Sequence, residues 1–121
     1  MGLRSGRNFH STIINEDTVF VFGGRDSEHF AKNSLHILDM VSVRWRELPE
    51  IANCNRVPRA RSHHSLTRIS KTAAVLVGGF NSLHGITDDC WILDLKKASQ
   101  AIDMSYIWTI IPWEIRFYYK K

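Results

Sequence analysis

Arginines, a serine and paired histidines carry most of the chemistry this chain offers. Arg25 directly follows Gly23-Gly24, while Arg56, Arg59 and Arg61 lead into Ser62-His63-His64. A guanidinium is a planar fork of donors that grips a carboxylate through two parallel hydrogen bonds, and a hydroxyl such as that of Ser62 adds another. Such residues suit recognition of an acidic or carboxylate-bearing ligand. The alternative, that the arginines are solvated or pair with Asp26, Glu28 or Glu47, stays open for each of them.

Covalent and metal chemistry find less support. The chain has no Gly-x-Ser-x-Gly elbow, no glycine-rich phosphate loop ending in Lys-Ser/Thr and no His-Glu-x-x-His. Six histidines invite a metal reading, but His63 and His64 are adjacent, and adjacent side chains of a strand point to opposite faces. His29, His36 and His84 read most simply as loop and surface residues. Cys54 and Cys90 lack the Cys-x-x-Cys or His spacing of a zinc site, and Cys90 reads as a small buried thiol at a strand start. The expectation is a non-enzymatic protein with no cofactor and no metal; a metal or redox enzyme is the remote alternative.

The elements that must position these residues occur twice. Thr18-Val19-Phe20-Val21-Phe22-Gly23-Gly24 is matched by Ala73-Ala74-Val75-Leu76-Val77-Gly78-Gly79. A run of β-branched and aromatic residues halted by two glycines suits a buried strand followed by a crowded turn, where a missing Cβ permits positive φ and close backbone approach. Arg7 to Ser11 falls on Arg61 to Ser65, so His10 and His64 are repeat-equivalent and read as structural residues near a turn. Further on, Asp39 falls on Asp94 and Trp45 on Trp108. The offset is 54 to 55 residues through the aspartates and 63 at the tryptophans, which places the extra residues in Lys96 to Tyr106. Asp39 and Asp94 hold equivalent places in separate units and read as turn braces rather than as an acid pair.

A repeat near 50 residues with these ordered landmarks resembles the kelch repeat, a four-stranded propeller blade. The resemblance implies an all-β fold: two kelch-type four-stranded antiparallel blades, an incomplete β-propeller. The first repeat is placed at 9–49 and the second at 61–112, within one partial propeller over 1–121, with 113–121 as a tail. Predicted strands are Phe9 to Ile14, Thr18 to Phe22, Leu35 to Asp39 and Val43 to Leu48, then His64 to Ile69, Ala73 to Val77, Trp91 to Leu95 and Tyr106 to Ile111. Asn15-Glu16-Asp17 is turn chemistry, and Phe80 to Asp88 reads as a surface loop.

Within that family, Arg61-Ser62-His63-His64-Ser65, with Gly23-Gly24-Arg25 and Leu35-His36 upstream, is similar to the middle blades of kelch-domain substrate receptors of cullin-RING ubiquitin ligases that recognise C-terminal glycine degrons. The resemblance implies that Arg25 and Ser62 hold a peptide's terminal carboxylate. Arg61 stands beside them, and His63 occupies the place where tryptophan is usual. The family's second carboxylate-binding arginine has no arginine to match it here; Ala31 or Lys32 lies nearest. Expected partners are a protein or peptide ligand and, for a full-length protein, a cullin-RING ligase. A kelch scaffold or cytoskeletal module, or a truncated product without independent binding, is the alternative.

Composition sets outer bounds. With 121 residues, 44% hydrophobic and 23% charged, the chain has the makings of one globular domain rather than a disordered segment. Its net charge of +4 is spread along the sequence, which argues against a nucleic-acid stripe. Apolar runs of about five residues fall far short of the roughly 20 a spanning helix needs, and no signal pattern opens the chain, so the expectation is a cytoplasmic or nuclear protein without membrane contact. Propellers close with about four to eight blades, so two blades leave two apolar faces open. The sequence reads as a fragment or truncated product, since the tail does not resemble a strand supplied for closure, and the purified chain is expected to form oligomers or aggregates.

Overall fold

The β-branched and aromatic runs become strands whose ends are set by turn residues. A computed structural model describes residues 10–25, 31–49, 56–83 and 85–112. The first sheet contains β1 (Ser11–Asn15), β2 (Thr18–Phe22), β3 (Leu35–Asp39) and β4 (Arg44–Leu48), antiparallel and in chain order. The second contains β5 (Ser65–Arg68), β6 (Ala73–Val77), β9 (Cys90–Asp94) and β10 (Trp108–Ile110), again with each strand beside its predecessor in that series. Between β6 and β9 a small hairpin intervenes, β7 (Phe80–Asn81) with β8 (Gly85–Ile86). The architecture is therefore two antiparallel blades of an incomplete propeller.

Departures from the sequence expectation have local causes. Val43, with φ 55°, belongs to the turn before β4, and Tyr106, with φ 68°, delays β10 to Trp108. Likewise His63, with φ 56°, turns the chain before β5 begins at Ser65. Phe80 to Asp88 is not wholly loop, because it contains the β7–β8 hairpin. The residues added to the second repeat form α1 (Leu95–Gln100), a helix that the strand-based reading did not anticipate. Asp94 closes β9 and then caps this helix, its carboxylate accepting from the Lys97 amide at 2.9 Å. Leu95 and Ala98 of α1 are buried, so the helix is held by packing as well as by its cap.

Cross-strand register decides which side chains form the core. It places Phe20, Phe22, Leu35, Ile37 and Leu48 on one face of the first sheet. Opposite them stand Leu66, Ala74, Leu76, Trp91, Leu93 and Trp108 of the second, and both sets are buried in one cluster. The Phe22 ring lies 5.0 Å from the Trp108 ring, and Trp108 meets Trp91 edge-on at 6.5 Å. Each large side chain buried this way contributes roughly 1.5–3 kcal/mol, so the face between the blades is the main source of stability.

Polar ties close both ends of that interface. Near the hub, the Ser11 hydroxyl donates to the His64 carbonyl at 2.9 Å, and Asn15 both donates to Lys71 O and accepts from Arg68. At the outer rim Arg46 of β4 reaches across to the end of α1, donating to the carbonyls of Ala98, Ser99 and Ala101. A cation beside the last carbonyls of a helix satisfies acceptors that the helix itself leaves open.

The outward faces are less covered. The back of the first sheet carries Val19, Val21, His36, Leu38 and Trp45, while the back of the second carries Ala73, Val75, Val77, Cys90 and Ile92. His36 is not a surface residue: it is 5% exposed within β3, edge-on to Trp45 and 3.5 Å from the Glu47 carboxylate. Cys90 opens β9 with a free thiol that is half-buried rather than buried, because it lies on the outward face of the second sheet. His29, His84, Cys54 and the tail 113–121 lie outside the described residues. Among the described residues no helix is long and apolar enough to cross a membrane.

Candidate functional site

Both glycine pairs end their strands on the same side of the molecule and press against one segment, Arg61 to His64. Gly23 and Gly24 have φ of 71° and 89°, which turns the chain out of β2 toward Arg25. A Cβ on Gly23 would stand 2.5 Å from His64 Cε1 and 2.8 Å from the Arg61 carbonyl oxygen. On Gly79, at φ 122°, it would meet the Ser62 carbonyl at 2.9 Å. The glycines are thus required by the closeness of this segment as well as by their backbone angles.

Main-chain pairing then lines up the residues of interest. Arg25 bridges Ala31, Lys32 bridges Arg61, and Ser62 bridges Phe80. The Gly24 amide donates to Arg61 O at 2.8 Å, and Arg61 N donates to Lys32 O at 3.0 Å. Ser62 and Phe80 exchange two such bonds, at 2.9 and 2.8 Å. The result is a ridge that passes from the first blade to the second and carries Arg25, Lys32, Ser62 and His63. Asn33 fastens this ridge to the incoming linker through Pro58 O, and Asn81 does so through Ala60 O.

Side chains on the ridge differ sharply in what they leave available. Arg25 and Lys32 are half-buried, and His63 is exposed. Ser62 is 2% exposed, with its hydroxyl 2.9 Å from His63 Nδ1. Arg61 departs from the expectation that it faces a ligand. Its side chain is fully buried and makes a bidentate pair with Asp89 at 2.6 and 2.9 Å, while also donating to Arg59 O, Gly78 O and Thr87 Oγ1. Burial raises the Asp89 carboxyl, but hydrogen bonds from Arg61 and the Trp91 indole outweigh it and hold the group below its usual range. Arg61 is a brace beneath the ridge.

His63 and His64 diverge because the chain turns between them. The His64 ring is buried, edge-on to Phe22 at 5.3 Å, with Nε2 donating to the Phe22 carbonyl at 2.9 Å. Burial lowers its pKa to about 4, with the nearby Arg61 charge acting in the same direction, so the ring is neutral at pH 7. Among the described residues no three His, Cys, Asp or Glu side chains gather as metal ligands. Arg56 stands elsewhere, donating to the Tyr106 hydroxyl at 2.9 Å and lying over its ring. Arg59 is exposed beside Arg61.

The other landmarks lie away from the ridge. Register puts Asp39 opposite Thr18 and Asp94 opposite Ala73, at the ends of the sheets remote from the glycines. Asp39 braces a turn by accepting from the amides of Val41 and Ser42, and Asp94 caps α1. Trp108 is core between the blades, whereas Trp45 is half-buried on the back of the first sheet. Reasoning from sequence missed Asp89 as the partner of Arg61; the Asp89-x-Trp91 spacing, which lets one carboxylate accept from both side chains, was the available signal.

Comparison with known proteins agrees with this architecture. Residues 3–113 match the KLHDC2/KLHL20/DRC7 Kelch-repeats domain. Kelch domain-containing protein 3 of Bos taurus is 33% identical over 102 residues, covering 84% of this chain and 24% of that protein. Kelch domain-containing protein 2 of Bos taurus is 34% identical over 93 residues, covering 77% and 22%. Acyl-CoA-binding domain-containing protein 5 of Arabidopsis thaliana is 31% identical over 85 residues, covering 70% and 12%. The chain spans about a quarter of the length of the kelch domain-containing relatives it matches. With the glycine pairs, the two four-stranded sheets and this match over nearly its whole length, the chain belongs to the kelch-repeat family, whose domains serve as protein-interaction modules.

Proposed function

We propose that the ridge from Arg25 to Phe80 is part of a peptide-binding surface that takes an acidic segment or the terminal carboxylate of a protein ligand. The observation that carries this reading is the chain of main-chain bridges that sets Arg25, Lys32, Ser62 and His63 side by side across two blades. Arg25 supplies the guanidinium fork, and the exposed His63 ring, hydrogen-bonded to the buried Ser62 hydroxyl, offers a polar contact; Ser62 itself would have to be uncovered to reach a carboxylate. Arg61 serves from beneath, holding Ser62 in place through the Asp89 pair. No arginine matches the family's second carboxylate-binding one here; Ala31, the bridge partner of Arg25, and Lys32 lie nearest to that place.

In the context of a longer protein, this reading makes the chain a section of a ubiquitin-ligase substrate receptor that presents C-terminal degrons to a cullin-RING partner. A cytoplasmic or nuclear location and a non-enzymatic role go with it, as do repeat boundaries at 9–49 and 61–112. The test is capture of peptides with free and amidated C-termini by the wild-type chain and by Arg25→Ala. Selective capture of the free carboxylate, reduced roughly tenfold or more by Arg25→Ala, is the expected result. Equal capture of both forms removes the terminal-carboxylate reading and leaves a kelch scaffold module.

A further inference from the structure

A cleft opens between the two blades on the side away from the glycine pairs. Register sets Thr18, Asp39 and Arg44 in one row across β2, β3 and β4, at the strand ends remote from Gly23-Gly24, with Ile37 and Arg46 in the next row. Residues directly opposite each other in antiparallel strands share a face, so these side chains continue the face that packs on the second blade. Ser99 of α1 stands on the other side, and the space enclosed is about 330 Å³. That volume lies at the small end of pockets that hold small molecules. Both walls belong to these two blades.

The polar groups around the cleft are unevenly committed. Arg46 is held by structure, its guanidinium donating to the carbonyls of Ala98, Ser99 and Ala101, which fix the group without neutralising its charge. Asp39 gives one oxygen, Oδ1, to the amides of Val41 and Ser42. Its second oxygen and the exposed Arg44 guanidinium have no hydrogen-bond or ion-pair partner among the described residues, although the two residues are directly opposed in the sheet. The Thr18 and Ser42 hydroxyls are open in the same way. Two guanidinium groups against one carboxylate leave the cleft positive.

We propose that this cleft binds a small hydroxylated phosphate ester of the sugar-phosphate class. A phosphate monoester offers three strong acceptor oxygens, which take donors from different directions: the Arg44 fork from β4 and the hydroxyls of Thr18 and Ser42 from β2 and the turn. A carboxylate offers two oxygens in one plane and is satisfied by a single guanidinium. Arg46 adds attraction from a fixed position. Asp39 is an acceptor only and repels a phosphate, so its open oxygen takes a sugar hydroxyl and sets which end of the ligand lies over β3. On this assignment the residues added to the second repeat, which form α1, serve to wall a site against the first blade. The inference stands apart from the peptide-binding reading, which concerns the opposite end of the sheets.

Titration calorimetry of the chain with glucose 6-phosphate, inorganic phosphate and glucose, at constant ionic strength, tests the proposal. Glucose 6-phosphate should bind saturably, inorganic phosphate roughly tenfold more weakly, and glucose not at all. Arg44→Met should weaken the sugar phosphate roughly tenfold or more with an unchanged melting temperature, since Arg44 is exposed. Asp39→Asn, which keeps an oxygen for the turn, should narrow the preference for the ester over inorganic phosphate. Arg25→Ala, at the ridge, should bind the ester as the wild type does. Absence of saturable binding, or equal binding by wild type and Arg44→Met, would overturn the proposal. So would a loss in Arg25→Ala, which would place the phosphate at the ridge, or inorganic phosphate binding as tightly as the ester.

Discussion

Gly23-Gly24 and Gly78-Gly79 hold the same place in the two sheets, yet they are crowded by different parts of the molecule. Gly23 is met by the next blade, through the His64 ring and the Arg61 carbonyl. Gly78, its repeat equivalent, has one ordinary contact, at 3.5 Å from Thr87 O, while Gly79 is met by Ser62, Arg61 and His64 of its own blade. Gly23 therefore makes room for the neighbouring blade, and Gly79 for the innermost segment of its own blade. One sequence signal conceals two steric requirements.

The largest blow to this arrangement should come from the brace that both pairs share. Asp89→Ala leaves the fully buried Arg61 charge without its carboxylate, and the expected loss is roughly 3–5 kcal/mol in urea unfolding at fixed protein concentration. A loss below about 1 kcal/mol would mean that Arg61 is not what holds the segment in place. Next, Gly23→Ala adds both backbone strain and a collision, for about 3 kcal/mol, whereas Gly78→Ala, strained at φ 64° but uncrowded, should lose only about 1 kcal/mol. Equal losses at the two positions would break the distinction between the pairs.

Protonation offers a reversible version of the same test. The folded pKa of His64, about 4, lies below the unfolded value of 6.5, so the unfolded chain binds the extra proton between these values. Stability contributed by neutral His64 is complete above pH 6.5 and is lost as the pH falls toward 4, by roughly 2–3 kcal/mol. Asp89, held low by Arg61, remains ionised across this window. His64→Gln should flatten the slope between pH 6.5 and 4.5; an unchanged slope would locate it elsewhere. The smallest effect belongs to the rim: Arg46→Met removes the donors to α1 and should cost about 1–2 kcal/mol, leaving the glycine-pair contacts intact by hydrogen exchange.

How much of this was legible depended on the range over which each residue acts. Thr18 to Phe22, Leu35 to Asp39 and Ala73 to Val77 form strands with the bounds expected, because a buried strand between turn residues is written locally. The helix was partly visible as excess residues after Asp94, and Asp94 followed by Leu95-Lys96-Lys97-Ala98 is a cap with good helix formers; repeat symmetry argued against reading it so. His36 misled because histidine in a polar neighbourhood suggests exposure, whereas it is 5% exposed in β3, in contact with Trp45 and Glu47 of the adjacent strand. At the ridge, Arg25 was singled out because it follows Gly23-Gly24, and Ser62 and His63 through the family resemblance; the main-chain bridges set these residues along one ridge. That Arg61 points inward depends on Asp89, 28 residues away in sequence; the Asp89-x-Trp91 spacing marks the acceptor, but nothing local names Arg61 as its partner.

The hydrogen bond from His64 to Phe22 has a spectroscopic corollary. A carbonyl oxygen can only accept, so the imidazole must carry its proton on Nε2 and leave Nδ1 bare, in a single tautomer. Nitrogen-15 shifts of that one ring therefore report whether the blades are docked, in any longer protein that contains this pair.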